Sequence, residues 1–517
     1  MSGAPLISVL TAIPLLGAVV LASLGGQTKS VARGVALAFN AVSLLLALLL
    51  WKLFDPTSPG IQFEERHDWI PSIGVQYFVG VDGLGLLMVL LSAIIVPFAL
   101  LASWKIEDKP NVYFSLMLFL QAGLFGAFTA LNFFHWFIFW ELGLVPAYFL
   151  IKLWGGSDRV RAATQFFIYT LVGSVTMLLG FVAIYLAGGT FDFIQLAEKA
   201  RNGGLAALFA AKTSWPIMQT PTLAVVIFIA VFLGFAVKVP LIPFHTWLPS
   251  AYAEAPTGVS MVLTGVMSKM GVYGFIRVLM PLFPDQMRSL LPLLLGLAVA
   301  TIVFSAFAAF AQRDLKRMIA YSSINHLGYC LLGIFAALKL TDSGAQWPTE
   351  KAAALNGVLL QMFNHGLSAS ALFCFIGFME QRTGLRGLND FGGLRKVAPV
   401  FCGLMGISLF ASLGLPGLNG FVGEFLIFKG ALPLAGWATA LSVIGLLVTA
   451  IFLLTILQRV FSGPLEPTRA GFADLTLRER LIVSPVIALI FILGIYPQIV
   501  LQFINPTIVK MVAHLVS

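Results

Sequence analysis

An all-α polytopic membrane protein of about fourteen transmembrane helices, with two inverted five-helix repeats and discontinuous helices 7 and 12, is the fold class this sequence predicts. Three observations predict it. The 517 residues are 59% hydrophobic and 10% charged, with a mean hydropathy of +0.96, outside the range of a water-soluble domain. The apolar residues fall into runs of about 18 to 27, each able to cross a ~30 Å hydrocarbon core. Helix breakers interrupt two of those runs at matching places.

In chain order the runs lie near 4–24, 31–54, 79–103, 111–130, 132–152, 162–187, 222–247, 254–280, 289–311, 317–338, 355–379, 398–428, 434–460 and 481–503. The whole chain, 1–517, reads as one transmembrane domain. Residues 1–103 supply three N-terminal helices, 111–280 a first block of five, 289–460 a second block, and 481–503 a last helix. The first run lacks a basic leader and a small-residue cleavage site, so it is expected to be a retained span and not a signal. The seventh run carries Pro240 and Pro243; the twelfth carries Gly414-Leu415-Pro416-Gly417-Leu418-Asn419-Gly420. Each is the fourth helix of its block, and because five is odd the two blocks enter the membrane from opposite sides.

The net charge of +9 does not indicate nucleic acid, because the basic residues cluster between apolar runs, where they report topology. Eighteen of the thirty-one lysines and arginines flank one side and eleven the other, Lys212 among the eleven. Both termini are therefore expected on the non-cytoplasmic side of the inner (plasma) membrane. Cys330, Cys374 and Cys402 all lie in apolar runs, offering neither a disulfide framework nor a metal or iron–sulfur site. No glycine-rich nucleotide loop occurs, so no cofactor is expected on this chain and any redox chemistry belongs to others.

Ionisable residues inside the runs are few. They are Glu141 in the fifth, Lys238 in the seventh, Lys269 in the eighth, His326 in the tenth, His365 in the eleventh and Glu424 in the twelfth. A charge at mid-membrane costs roughly 2.5 to 3.5 kcal/mol on insertion scales, so each needs a partner or a purpose. Spread over six helices, they supply the protonatable groups that a proton relay requires. Simpler readings compete: Glu141 with Lys238 as a static ion pair, each histidine as a satisfied packing residue, and the glycine-proline run as a packing kink. His135 and His245 read as side chains reaching an interface, and Asp82 and Glu254 as helix N-caps. Pro240 cannot bond back to the Ala236 carbonyl, nor Pro243 to that of Val239, so two freed carbonyls are expected to flank Lys238 and hold water beside it.

From about Val79 to Arg459 the chain carries VGVDGL, FWELGLVPAYFLIKLWGG, KVPLIPFHTWLP, AEAP, RDLKRMIAYSSINHLGY, FNHGLSASALF and ASLGLPGLNGFVGEF in order. In these motifs it resembles the antiporter-like membrane subunits of respiratory complex I, the proton-pumping NADH:quinone oxidoreductase, and among the subtypes most of all the M-type. Glu424 decides the subtype, because the other subtypes and the related cation/proton antiporter subunits usually carry lysine there. The resemblance implies a Glu141–Lys238 pair leading through Lys269 toward His326, His365 and Glu424. It also implies that NADH, FMN, iron–sulfur clusters and quinone act on partner subunits, and that L-type and N-type subunits and lipid are the neighbours. The family often reads LPDAHxEAP where this chain reads LPSAYAEAP, Leu248 to Pro256, so no proton-uptake role is carried onto this loop. A subunit of a cation/proton antiporter or of a membrane-bound hydrogenase is the alternative; a non-conducting scaffold and an independent solute carrier are the remaining readings.

Overall fold

Helices follow the apolar runs in the computed structural model, which describes residues 5–24, 29–202, 207, 209, 221–340 and 347–516. Lys212 and residue 4 of the first expected span lie outside the described residues. The first block of elements is α1 (Leu6–Ser23), α2 (Lys29–Leu53), β1 (Gln62–Ile70), β2 (Val75–Val81) and α3 (Gly83–Ala102). Next come α4 (Pro110–Thr129), α5 (Phe133–Trp154), α6 (Arg159–Gly188), the short α7 (Phe193–Arg201), α8 (Pro221–Lys238), α9 (Trp247–Glu254) and α10 (Thr257–Leu282). After the short α11 (Pro284–Ser289) follow α12 (Leu291–Phe310), α13 (Leu315–Ala337) and α14 (Pro348–Thr383). The chain ends with α15 (Pro399–Leu413), α16 (Asn419–Leu434), α17 (Gly436–Phe461), α18 (Leu477–Ile495) and α19 (Gln498–Val516).

Among the described residues eleven helices are long and apolar enough to cross a bilayer, or twelve if α18 and α19 count as one span. This differs from the fourteen runs because the two interrupted runs are not whole helices. The seventh stops at Lys238, turns through 239–246 and resumes as α9; the twelfth stops at Leu413 and resumes at Asn419. Gly414 ends α15 at φ +79, a left-handed backbone that glycine adopts without a Cβ penalty. The last expected helix, 481–503, is in fact a pair bent by 64°. Pro497 follows Ile495 directly after Tyr496 and has no N–H to continue α18, whereas hydropathy runs on unchanged through it.

A further correction is the antiparallel hairpin β1–β2, turned at Gly74 with φ +68. Its first strand lies in a segment too polar for a span, and its second ends inside the start of the third expected run, so that span begins at Gly83 and not near 79. Glu65 on β1 accepts from the backbone N–H of Ile7 at 2.7 Å and of Ser8 at 3.2 Å, capping α1 from a distant point in the chain. At the start of α3, Asp82 is an N-cap, accepting from Gly85 N–H at 3.0 Å, and it also takes both arms of the Arg277 guanidinium at 2.6 and 2.7 Å.

Burial separates two kinds of span. The most apolar windows of α10 and α14 are 100% buried and that of α13 is 94% buried, whereas α2 has 28% buried and carries exposed Leu45. The interior helices are those bearing Lys269, His365 and His326, and the outer ones turn leucine and valine outward, as a lipid solvent requires.

Candidate functional site

Lys238 is the last residue of α8, placed where the Pro240 break begins, and it is 2% exposed. The expected pair of free carbonyls beside it is only partly present. The Ala236 carbonyl accepts from Leu241 N–H at 2.9 Å, one residue beyond the bond Pro240 lacks, and the Val237 carbonyl accepts from Trp247 Nε1 at 3.0 Å. The break is also pinned sideways, since Ile242 N–H donates to Thr301 Oγ1 on α12 at 3.2 Å. The ammonium itself has no hydrogen-bond partner among the described residues; it lies 5.0 Å over the ring of Trp140.

Glu141 follows Trp140 on α5 and is half-buried, with Oε1 enclosed and unpartnered among the described residues. No ion pair within 4.0 Å joins it to Lys238. The Trp140 indole donates to Ser174 Oγ at 3.0 Å. Glu141 and Lys238, expected as a pair in direct or single-water contact, make no direct one.

The next four residues form a row of two bonded pairs whose histidine rings face each other. Lys269 lies between two π-helical turns of α10, Leu263–Met267 and Phe275–Leu279, which widen the helix around it. Its Nζ donates to the Thr264 carbonyl, lies 3.4 Å from Ser268 Oγ and is 2.8 Å from His365 Nδ1. The rings of His365 and His326 are 5.1 Å apart, centroid to centroid. His326 Nδ1 stands 3.0 Å from Glu424 Oε1, and Gln361 Nε2 donates to the same carboxylate at 3.0 Å. All four ionisable groups are buried, and His326 Nε2 is left without a partner among the described residues.

Lys238 meets this row through packing. A Cβ on Gly271, two residues past Lys269, would lie 2.9 Å from Val239 N and 3.0 Å from Phe235 O, so only glycine lets α8 approach α10 there. Glu424 is placed against the other break, where a Cβ on Gly414 would lie 2.8 Å from its Oε2. The break of α15–α16 is fastened to α14 by reciprocal bonds, Asn364 Nδ2 to the Asn419 carbonyl at 2.6 Å and Asn419 Nδ2 to the Asn364 carbonyl at 3.1 Å.

Three sequence readings change. His135 and His245 do not reach for an interface: both are buried, His135 against Tyr77 and Phe139, His245 against Phe304. Glu254 ends α9 instead of starting a helix, and accepts from Arg386 Nη2 at 2.7 Å and Asp158 N–H at 3.0 Å. Burial would raise its carboxyl, but the Arg386 bond and the Asp158 amide hold it below the usual carboxylate range. Gln361, Ser268, Trp140 and Trp247 were not read from the sequence as site residues. Gln361 stands one helical turn before His365, a spacing that could have flagged it.

The sequence family described as NADH:quinone oxidoreductase/Mrp antiporter, transmembrane, matches residues 130–451. The chain is 37% identical to NADH-quinone oxidoreductase subunit M of Rhodobacter capsulatus, over 99% of this chain and 96% of that one. It is 33% identical to NADH-quinone oxidoreductase subunit M of Mycobacterium tuberculosis, over 98% and 94%. Among solved structures it superposes on a chain of respiratory complex I from Thermus thermophilus with a TM-score of 0.84 and 29% identity, covering 98% of this chain and 99% of that one. A match over more than half the chain, with relatives this similar along their whole length, places the chain in the family of NADH:quinone oxidoreductase and Mrp antiporter membrane subunits.

Proposed function

We propose that this chain is the M-type proton-translocating membrane subunit of a NADH:quinone oxidoreductase, and that Glu141, Lys238, Lys269, His365, His326 and Glu424 pass the proton. The observation that carries this reading is the buried row from Lys269 through His365 and His326 to Glu424, lying between two broken helices. A static packing role would need none of these groups to be ionisable, and four in sequence at mid-bilayer is a costly way to fill space. The unpartnered Lys238 Nζ, Glu141 Oε1 and His326 Nε2 are the points where internal water would complete the row.

The residue blocks 111–280 and 289–460 are proposed as inverted repeats, supported by a broken helix at the fourth place of each. NADH, FMN, iron–sulfur clusters and quinone act on partner subunits in this reading, with L-type and N-type subunits beside this one and both termini outside the cytoplasm. The test is proton yield per NADH oxidised in vesicles containing the purified complex. Lys269→Ala should leave the complex assembled and lower the yield by the whole contribution of this subunit; a wild-type yield would sink the reading.

A further inference from the structure

A second cavity lies away from the ionisable row. It is a groove of about 430 Å³ between α2, α3, α18 and α19, and every residue lining it is apolar. Leu44 and Trp51 of α2, Leu87 and Leu101 of α3, and Leu481 and Leu489 of α18 mark its walls. From Leu87 to Leu101 it follows α3 for ~21 Å at 1.5 Å per residue, more than one leaflet of a ~30 Å hydrocarbon core. Both arms of the pair bent by 64°, α18 and α19, contribute to its wall.

One end of the groove is cationic. Trp104 stands one turn beyond Leu101, and two guanidiniums gather on its ring: Arg478 at 4.3 Å and Arg33 at 5.6 Å from the centroid. Arg478 precedes Leu481 by three residues on α18, so the two share a face. Neither arginine has a carboxylate within 4.0 Å among the described residues. Lys29 nearby is already matched by Glu107 at 2.9 Å. Arg33 gives Nη2 to the Ile106 carbonyl at 3.0 Å, yet its Nε is enclosed with no partner among the described residues. An enclosed guanidinium N–H without an acceptor, beside a second unpaired guanidinium and above an apolar groove, calls for an anion attached to a hydrocarbon chain.

We propose that this groove binds one anionic phospholipid, its phosphate held by Arg33 and Arg478 around Trp104 and an acyl chain lying along α3. The charge count puts this end of the groove on the cytoplasmic side, the leaflet face where anionic headgroups and basic side chains attract each other. An indole at the mouth suits the interface between headgroup and hydrocarbon. A transmembrane helix of another subunit is the rival occupant, but it would leave the two guanidiniums unanswered.

The test uses the whole purified complex. After delipidation in detergent it is incubated with equimolar phosphatidylglycerol and phosphatidylcholine, and lipid retained on this subunit is counted by native mass spectrometry with subunit ejection. Wild type should retain phosphatidylglycerol in preference. The double variant Arg33→Gln, Arg478→Gln should lose about thirtyfold of that preference while still holding lipid, and Leu489→Trp, which fills the groove, should lose retention of both lipids. NADH-driven turnover serves as the check that all variants are assembled. No preference in wild type, or an unchanged preference in the double variant, overturns the proposal. So does a Leu489→Cys cross-link that captures another subunit in place of a photoactivatable acyl chain.

Discussion

The two broken helices solve the same problem in opposite ways. At the α8–α9 break the charge is a lysine with no hydrogen-bond partner, faced by a tryptophan ring. At the α15–α16 break it is a glutamate, held by His326 and Gln361 at 3.0 Å each. The backbone shows the same contrast. The first break reuses its own carbonyls through Leu241 N–H and the Trp247 indole, while the second is tied to α14 by the Asn364–Asn419 pair. A satisfied carboxylate holds its geometry, whereas an ammonium without a bond is free to respond to a neighbouring charge. The asymmetry suits a relay in which one end is responsive and the other fixed.

The strongest way to break this contrast is Lys238→Arg. Arginine keeps the charge but does not release its proton at usable pH. If Lys238 passes a proton, Lys238→Arg should lower transfer through this subunit by roughly 10²-fold or more, as fully as Lys238→Ala, with assembly intact. Wild-type proton yield in reconstituted vesicles would make the lysine a structural group only. Glu141→Gln comes next. It removes the carboxylate expected to pair with Lys238, and should cripple pumping by about tenfold or more while the complex still assembles, since no direct ion pair joins the two. Normal pumping by purified Glu141→Gln complex would assign Glu141 a static role.

At the fixed end the expected effect is smaller. Gln361→Leu deletes one donor to Glu424 but leaves His326 in place, so transfer should fall by about tenfold or less, the worth of one hydrogen bond to a charged group. A loss as large as that of Lys238→Arg would show that the two breaks are equally delicate.

The residue types that build both breaks were legible in the sequence, because paired helix breakers stand beside an intramembrane charge, which always needs explaining, although single prolines such as Pro97 and Pro146 sit inside unbroken helices. What could not be read was how each break is satisfied. Leu241 takes over the Ala236 carbonyl and Trp247 reaches back ten residues to Val237, and neither follows from a periodicity. The π-helical turns around Lys269 were equally hidden, since one added residue per turn leaves composition unchanged. Hydropathy also missed the bend at Pro497 and the hairpin, the first because apolar content continues through it, the second because the apolar end of β2 merges with the run of α3. The ionisable residues of the inner row are visible in the apolar runs, yet their order, with His365 touching Lys269 and His326 touching Glu424, comes only from the packing of α10, α13, α14 and α16.

The smallest expected effect tests whether the first break is mechanically joined to the second block. Arg386, in the loop after α14, bonds Glu254 at the end of α9 and also contacts Asp314 at 2.6 Å, so one guanidinium links the first break to the start of α13. Because the Glu254 carboxyl is held below the usual range by Arg386 and the Asp158 amide, against the opposing effect of burial, its contribution is fully present above the ordinary carboxylate pKa. It is lost as pH falls through the lowered value. Between pH 6 and 8 the contribution should therefore be constant, and Glu254→Gln should lower the Tm of the subunit by an amount that does not vary with pH, corresponding to ~1–2 kcal/mol. Below the ordinary carboxylate pKa, ~4.3, the difference between wild type and variant should shrink as the wild-type carboxyl is protonated. A difference that instead changes between pH 6 and 8 would mean the carboxyl titrates there and that Arg386 does not hold it. If proton yield also stays at the wild-type level in Glu254→Gln, the link is one of stability alone, and the responsive break works without its tether to the second block.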